Sequence, residues 1–414
     1  MSRSANEPAA DRPPANVDVA PPDAAAAAGA GQASLGGFRI PTDTLRAYTM
    51  VFALVAIWVF FQWQTVSEMF PWGLFLHPVN FTNLLKQMAV TGVLAVGMLM
   101  VIVAGQIDLS VGSVVGLAGG VAAMTQDQGL AVSLAAAVVI GVAIGAFQGG
   151  LIAYANIPAF IVTLGGLLAW RGVILWVTRG ETKPVYLPAF RALGVDLVAP
   201  AAGYALAALA VAAVAWLTLR RNRARRRHGL SVPGLGATAA RVAIPAALVV
   251  VFVYMMNTRG GVPLPVIVLL GVAILGAFLT QNTTFGRYLY AIGGNPDAAR
   301  LSGISLRKHI LAAYCLLGAL VGVASLLHTA RVGAATPDAG SLMELDAIAA
   351  CVIGGTSLMG GRGTVFGAML GALIMASLDN GMSLLGVQNA TQYVVKGAVL
   401  VAAVGFDMLG RRKG

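Results

Sequence analysis

Residues 90–120 read VTGVLAVGMLMVIVAGQIDLSVGSVVGLAGG. The first half, Val90 to Ala104, carries no charged residue and is apolar around its whole circumference, which suits a helix surrounded by lipid or protein on every side. Gly105-Gln106-Ile107-Asp108-Leu109-Ser110 then interrupts the apolar run, and a second, glycine-laden run follows. A membrane helix that stops, breaks and restarts leaves backbone groups unpaired, so such a break must be lined by protein or by a water-filled cavity.

The rest of the chain repeats this character. Of the 414 residues, 58% are apolar and 10% charged, and the mean hydropathy is +0.82, a composition that excludes a soluble globular protein. Apolar runs long enough to span recur at 47–66, 86–104, 109–125, 129–155, 159–178, 201–219, 241–257, 262–280, 310–329, 344–358, 364–385 and 391–409. The third and tenth are short and rich in glycine, so the count of membrane segments is ten to twelve, some of them broken. The expected fold is an all-α, polytopic transmembrane helical bundle. Residues 1–40, rich in Ala, Pro, Gly, Asp and Asn with no apolar h-region, read as a disordered cytoplasmic tail ahead of a membrane domain over 41–414.

The net charge of +11 follows the same map and needs no nucleic-acid partner. With the N-terminus inside, nineteen of twenty-seven Lys and Arg fall on the cytoplasmic side, chiefly in loops near 220–240 and 281–309; six fall outside, Lys86, Arg179, Lys183, Arg191, Arg259 and Arg331. Both termini are therefore expected in the cytoplasm. The basic run Arg220 to His228 reads as a topology anchor near anionic membrane lipid. Cys315 and Cys351 lie in apolar runs and act as small hydrophobes; no metal site is indicated. Glycine pairs four apart, such as Gly141 and Gly145 or Gly318 and Gly322, allow close helix packing.

The connection from Gln281 to His309 is far longer than two adjacent helices need. Gly293 and Gly294 permit a sharp turn, Asn295 is placed to cap a short helix, Pro296 suits its first position, Asp297 favours its positive end, Ala298, Ala299 and Arg300 continue it, and Gly303 suits its exit. So short a helix is marginal alone and calls for a partner. No lysine of the chain directly follows a glycine, as a phosphate-binding P-loop requires, so the chain is not itself an ATP-hydrolysing enzyme by that route.

Ionisable residues in or near the apolar runs are Asp108, Arg171, Glu344, Asp346, Asp379 and Lys396. Asp108 either caps the following segment or enters a pathway; Asp379 and Lys396 either lock two helices or line one. Polar side chains placed to line a solute path are Asn83, Asn156, Thr163, Asn380 and Gln388, with polar helix–helix contact as the alternative for each; Asp346, with Glu344 at the outer end of the tenth segment, either enters the path or faces a periplasmic partner.

Four strings carry a resemblance: residues 90–120 as quoted, IPAFIVTLGGLLAWRG at 157–172, TTFGRYLYAIGGNPDAARLSGI at 283–304 and ACVIGGTSLMGGRGTVFGAMLGALI at 350–374. In this order they resemble the permease subunits of bacterial ABC sugar importers of the ribose and xylose class. The resemblance implies a homodimer in the inner membrane, a separate ABC ATPase subunit that binds ATP and Mg, and a periplasmic sugar-binding protein. It makes Gly293 to Gly303 the coupling helix, with no cofactor bound by this chain. Two extra apolar segments between about 179 and 260 are similar to those of xylose permeases. An importer of another pentose or hexose such as ribose, or an ion-gradient-driven carrier, is the alternative.

Overall fold

The computed structural model describes the backbone of residues 32–35 and 38–411, and side chains over 48–405. Of the expected disordered tail only Gln32–Leu35 (β1) and Phe38–Pro41 (β2) are described, and these pair as an antiparallel hairpin. From there the described chain is almost wholly helical. The helices are α1 Thr42–Gln64, α2 Pro78–Val103, α3 Val111–Met124, α4 Leu130–Ala153, α5 Ala159–Thr178, α6 Pro188–Val195, α7 Pro200–Arg227 and α8 Leu235–Asn257. They continue as α9 Leu264–Asn282, α10 Thr284–Gly294, α11 Pro296–Leu301, α12 Leu306–Val332, α13 Met343–Ile353, α14 Val365–Leu384 and α15 Asn389–Arg411. Among the described residues eight helices, α2, α4, α5, α7, α8, α9, α12 and α14, are long and apolar enough to cross a membrane. The chain is a polytopic helical membrane protein.

The two segments expected to be short are short. At about 1.5 Å per residue, α3 with 14 residues and α13 with 11 cover roughly 21 and 17 Å, less than a hydrocarbon core of about 30 Å. Each follows a long helix and precedes two more, so α2–α5 and α12–α15 repeat the order long, short, long, long.

Pairings between connections sort the chain into two faces. On one face Lys183–Pro184 (β3) pairs with Ala334–Ala335 (β6), and Leu197–Val198 (β4) with Val262–Pro263 (β5). There Gln126 also ties the turn after α3 to residues 184–187, donating to the Pro184 carbonyl and accepting from the amides of Tyr186 and Leu187. On the other face the end of α2 meets the end of α10 and the loop after α13, and Asn222 of α7 donates to Thr238 of α8.

The core forms around α2, whose Val93, Leu94, Val96, Met98 and Leu99 are completely buried. It is packed by α12, α13, α14 and α9 through close glycine contacts: Gly97 against Leu317, Gly276 against Val96, and Gly371 against the Ala350 carbonyl. The expected pairs Gly141/Gly145 and Gly318/Gly322 are the crossing of α4 and α12, where Gly141 and Gly318 meet backbone to backbone. Cys351 is buried and donates to the Ala95 carbonyl at 3.3 Å.

Three expectations need correction. Helix α2 starts at Pro78, eight residues before the expected segment, because proline at its first turn and buried Asn80, Phe81, Thr82 and Leu84 extend it. Lys86 therefore sits within a helix, not in an outer connection, and reaches the Val195 carbonyl at 2.7 Å. The basic run Arg220 to Arg227 is the end of α7, not a loop: Arg and Ala are good helix formers, and cations suit a helix C-terminus. Helix α6 was not foreseen; it is held by fully buried Phe190 and by Gly194 packed on the backbone of Arg331.

Candidate functional site: the seat of α10–α11 and the meeting of the short helices

Thr283 caps α10 by accepting from the Gly286 amide, and Leu289 and Ile292 bury its apolar side at 1% exposure each. Tyr290 donates its hydroxyl to the Gly363 carbonyl at 2.7 Å. At the end of α10 no side chain fits. A Cβ on Gly293 would collide with the Val103 carbonyl oxygen and stand 2.8 Å from the Gly361 amide nitrogen, and that amide itself donates to the Val103 carbonyl at 2.9 Å. A Cβ on Gly360 or Gly361, both at positive φ, would in turn come within 2.8 and 2.9 Å of the Cα atoms of Gly293 and Gly294. Three backbones are thus in direct contact: the end of α2, the end of α10, and the loop after α13.

The sharp turn expected at Gly293 and Gly294 lies one residue later. Both glycines are helical, neither has a positive φ, and the chain turns at extended Asn295 (φ −156°, ψ 99°). Gly293 is needed for close approach, whereas a Cβ on Gly294 would meet nothing within 4 Å. The features of α11 sit as spaced in the sequence. Asn295 accepts from the Ala298 amide at 2.9 Å, Pro296 opens the helix, Asp297 lies in its first turn, Ala299 is buried, Arg300 is in its last turn, and Gly303 follows at φ +80°. Leu301 stands 90% exposed at its tip.

In the interior the starts of α3 and α13 meet. A Cβ on Gly112 would strike both the Gly340 carbonyl and the Glu344 carboxylate, and one on Gly340 (φ +76°) would strike the Gly112 carbonyl. Leu342, just before α13, has φ +64°, a strained conformation for a bulky residue. Arg171 of α5 spans to this stretch, donating to the Pro337 and Ala339 carbonyls at 3.0 and 2.9 Å. Before α3, Asp108 accepts from the Ser110 amide and hydroxyl, both at 2.7 Å, so it organises the start of that helix. Ser110 also reaches Gln148 of α4 at 3.0 Å. Gln148 Nε2 and Trp170 Nε1, both buried without a partner among the described residues, come together over Gly166. Exchanging oxygen and nitrogen of the Gln148 amide by a half turn would set an acceptor toward the indole and a donor on Ser110. Broken helices with polar starts at mid-depth are where membrane carriers handle solutes.

The six side chains expected to line a path do not gather at one place. Asn83 is exposed on α2, and Gln388 is exposed on the face that holds β3–β6. Asn156, at φ 54°, lies on the opposite face. Thr163 is buried against the start of α3, donating to the Ala159 carbonyl at 2.9 Å and standing 3.4 Å from that of Ile107. Asn380 exchanges hydrogen bonds with Asn80 at 2.7 and 3.0 Å. Asp346 of α13 accepts two bonds from Lys396 of α15, at 3.0 and 3.1 Å, and Lys396 lies 2.9 Å from Asp379 of α14. That triad joins three helices beside a cavity of about 270 Å³ lined also by Leu342 and Tyr393. Ser110, Gln148 and Trp170 escaped the sequence reading. A glutamine inside the apolar run 129–155 was the available signal.

Glycine-packed bundle, two broken helices meeting head to head and a helical connector seated on the backbone define a membrane transport component. The chain belongs to the family described as branched-chain amino acid transport system / permease component, whose model matches residues 80–404. It is 43% identical over 382 residues to the xylose transport system permease protein XylH of Escherichia coli (strain K12), covering 91% of this chain and 96% of that one. The namesake from Haemophilus influenzae is 43% identical over 380 residues, covering 91% and 100%. The ribose import permease protein RbsC of E. coli (strain K12) is 37% identical over 331 residues, covering 79% and 85%. No solved structure matches the chain.

Proposed function

We propose that the chain is the membrane-spanning subunit of an ATP-driven importer that carries a monosaccharide, D-xylose, across the inner membrane. One observation carries this reading: near-complete alignment with two xylose permeases at 43% identity, above the 37% to a ribose permease over a shorter span. The face with Arg220 to Arg227, Arg300 and Arg307 is cytoplasmic by the positive-inside rule, which puts both termini there. A separate ABC ATPase then supplies the energy by docking on α10–α11, with Leu301 exposed toward it; ATP and Mg belong to that subunit. A periplasmic sugar-binding protein delivers the sugar to the opposite face. A second copy of the chain completes the path. The apolar outer side of α5, where Phe160, Leu168 and Trp176 are exposed and Gly165 and Gly172 face open space, suits that contact.

Geometry supports the coupling. Because the end of α10 touches the end of α2 and the loop after α13 with no side chain between, displacement of α10–α11 must be shared by both. Those two elements lead directly to the meeting point of α3 and α13. Movement at the docking face therefore reaches mid-depth through rigid helices and one glycine joint.

Uptake of labelled xylose into vesicles holding the assembled system is the test. Transport should persist when an uncoupler collapses the proton gradient while ATP is maintained, and stop when ATP is withdrawn. Loss of uptake on uncoupling alone would favour a gradient-driven carrier using the buried carboxylates. Preference for ribose over xylose would reassign the sugar.

A further inference from the structure

Beside α11, on the face with the basic residues, a cavity of about 400 Å³ opens between the end of α4 and the start of α12. Its apolar floor is Ile152, Ala153 and Ile310; its rim carries Arg300, Arg307, Ser305 and Asn156. Neither arginine has a carboxylate within ion-pair distance among the described residues. The cavity also receives the first turn of α12, a helix of 27 residues whose N-cap Ser305 makes no side-chain capping bond. Helices α10 and α11 are both capped by a side chain. Free guanidinium groups and the open amides of a helix start both favour an oxygen anion. Asn156 holds a left-handed backbone at the rim, with φ 54°.

We infer that this cavity receives an acidic side chain of the ATPase subunit, a second point of attachment that ties α4 to the docking helix. The inference rests on the proposed ABC reading. Position selects the occupant: Arg300 belongs to α11 itself, so a partner covering α11 also covers the cavity mouth. A membrane phospholipid is less suited, because beyond the floor α4 and α12 close on each other, where Gly149 packs on Tyr314, and leave no slot for an acyl chain there. The attachment would let ATPase closure pull on α4, whose Gln148 reaches Ser110 at the start of α3.

The experiment measures binding of the system's own purified ATPase subunit to the detergent-solubilised permease between about 50 and about 500 mM salt, which spans weak to strong screening. Arg300→Gln/Arg307→Gln should weaken binding on the order of five- to tenfold at low salt and flatten the salt dependence. The Arg300→Lys/Arg307→Lys pair should restore most of both. Arg225→Gln/Arg226→Gln, on the same face but outside the cavity, should change neither. A Ser305→Cys variant should form a disulfide with a cysteine placed at one particular acidic position of the ATPase. Unchanged affinity in the Gln pair, or an equal loss in the Arg225/Arg226 control, would overturn the inference. So would a phospholipid that the wild type retains and the Gln pair loses while ATPase affinity stays the same. A wild-type permease that does not bind the ATPase at all would remove the ABC reading itself, whereas a bound ATPase indifferent to the Gln pair removes only this inference.

Discussion

Two connectors extend toward the face with the basic residues, and they are built in opposite ways. The α7–α8 hairpin is long, apolar and loosely attached: only Gly203, Ala207, Val253 and Met256 of its two helices are buried. The α10–α11 connector is short, but the end of α10 within it is locked against the backbones of two other segments, Gly293 against Val103 and against Gly360 and Gly361. Length in the sequence therefore does not measure importance for the machinery. The helix pair buries few residues against the bundle, while the end of α10 has no room for an extra atom at Gly293.

The contrast is sharpest at adjacent residues. Gly293→Val should abolish coupled uptake, since its side chain collides with the Val103 carbonyl. Overpacking of about 1–3 kcal/mol depopulates the seated state roughly five- to 150-fold. Gly294→Ala points into open space and should leave uptake within about twofold of wild type. Equal effects at both positions would show that the seat is not the joint.

Next in size is the triad that ties α13 to α14 and α15. Lys396→Met leaves Asp346 and Asp379 facing each other with no cation between them and should cost about 3–5 kcal/mol, read as a lower midpoint of thermal unfolding in detergent. Lys396→Arg should recover part of it. Removal of the amide pair by Asn80→Ala should cost about 1 kcal/mol by the same readout. The smallest effect belongs to the hairpin: changing Arg220, Arg221 and Arg223 together to Gln should alter the xylose uptake rate less than about twofold, since these residues lie outside the seat. A large loss of uptake there would erase the contrast between the connectors.

Much of the fold was legible because a lipid-spanning helix must be long and apolar, a signal that needs no partner to be read. All twelve expected segments correspond to helices, and the short ones, α3 and α13, announced themselves through glycine and broken apolarity. Caps were legible too, since Asn295 and Pro296 act within one turn of their own helix. Contacts between distant segments were not. Nothing local distinguishes Gly293 from Gly294; only Val103 and Gly361, far away in sequence, do so. The same holds for Asn380, whose partner Asn80 sits 300 residues earlier, and for Gln148, which looked like one polar residue in an apolar run until Ser110 was placed beside it. Arginines after Trp216 looked like a loop because charge was read as an end of helix, whereas α7 continues through them.

In the proposed coupling, the α10–α11 connector drives the short helices α3 and α13 through one side-chain-free joint. Sugar-stimulated ATP hydrolysis in vesicles reconstituted with wild type, Gly293→Val and Gly294→Val, each assembled with the ATPase and the binding protein, measures that link. Gly293→Val should still insert and still hold the ATPase but no longer link hydrolysis to xylose uptake, while Gly294→Val remains coupled. Coupled transport by Gly293→Val, or its loss in Gly294→Val alone, would contradict the proposed coupling.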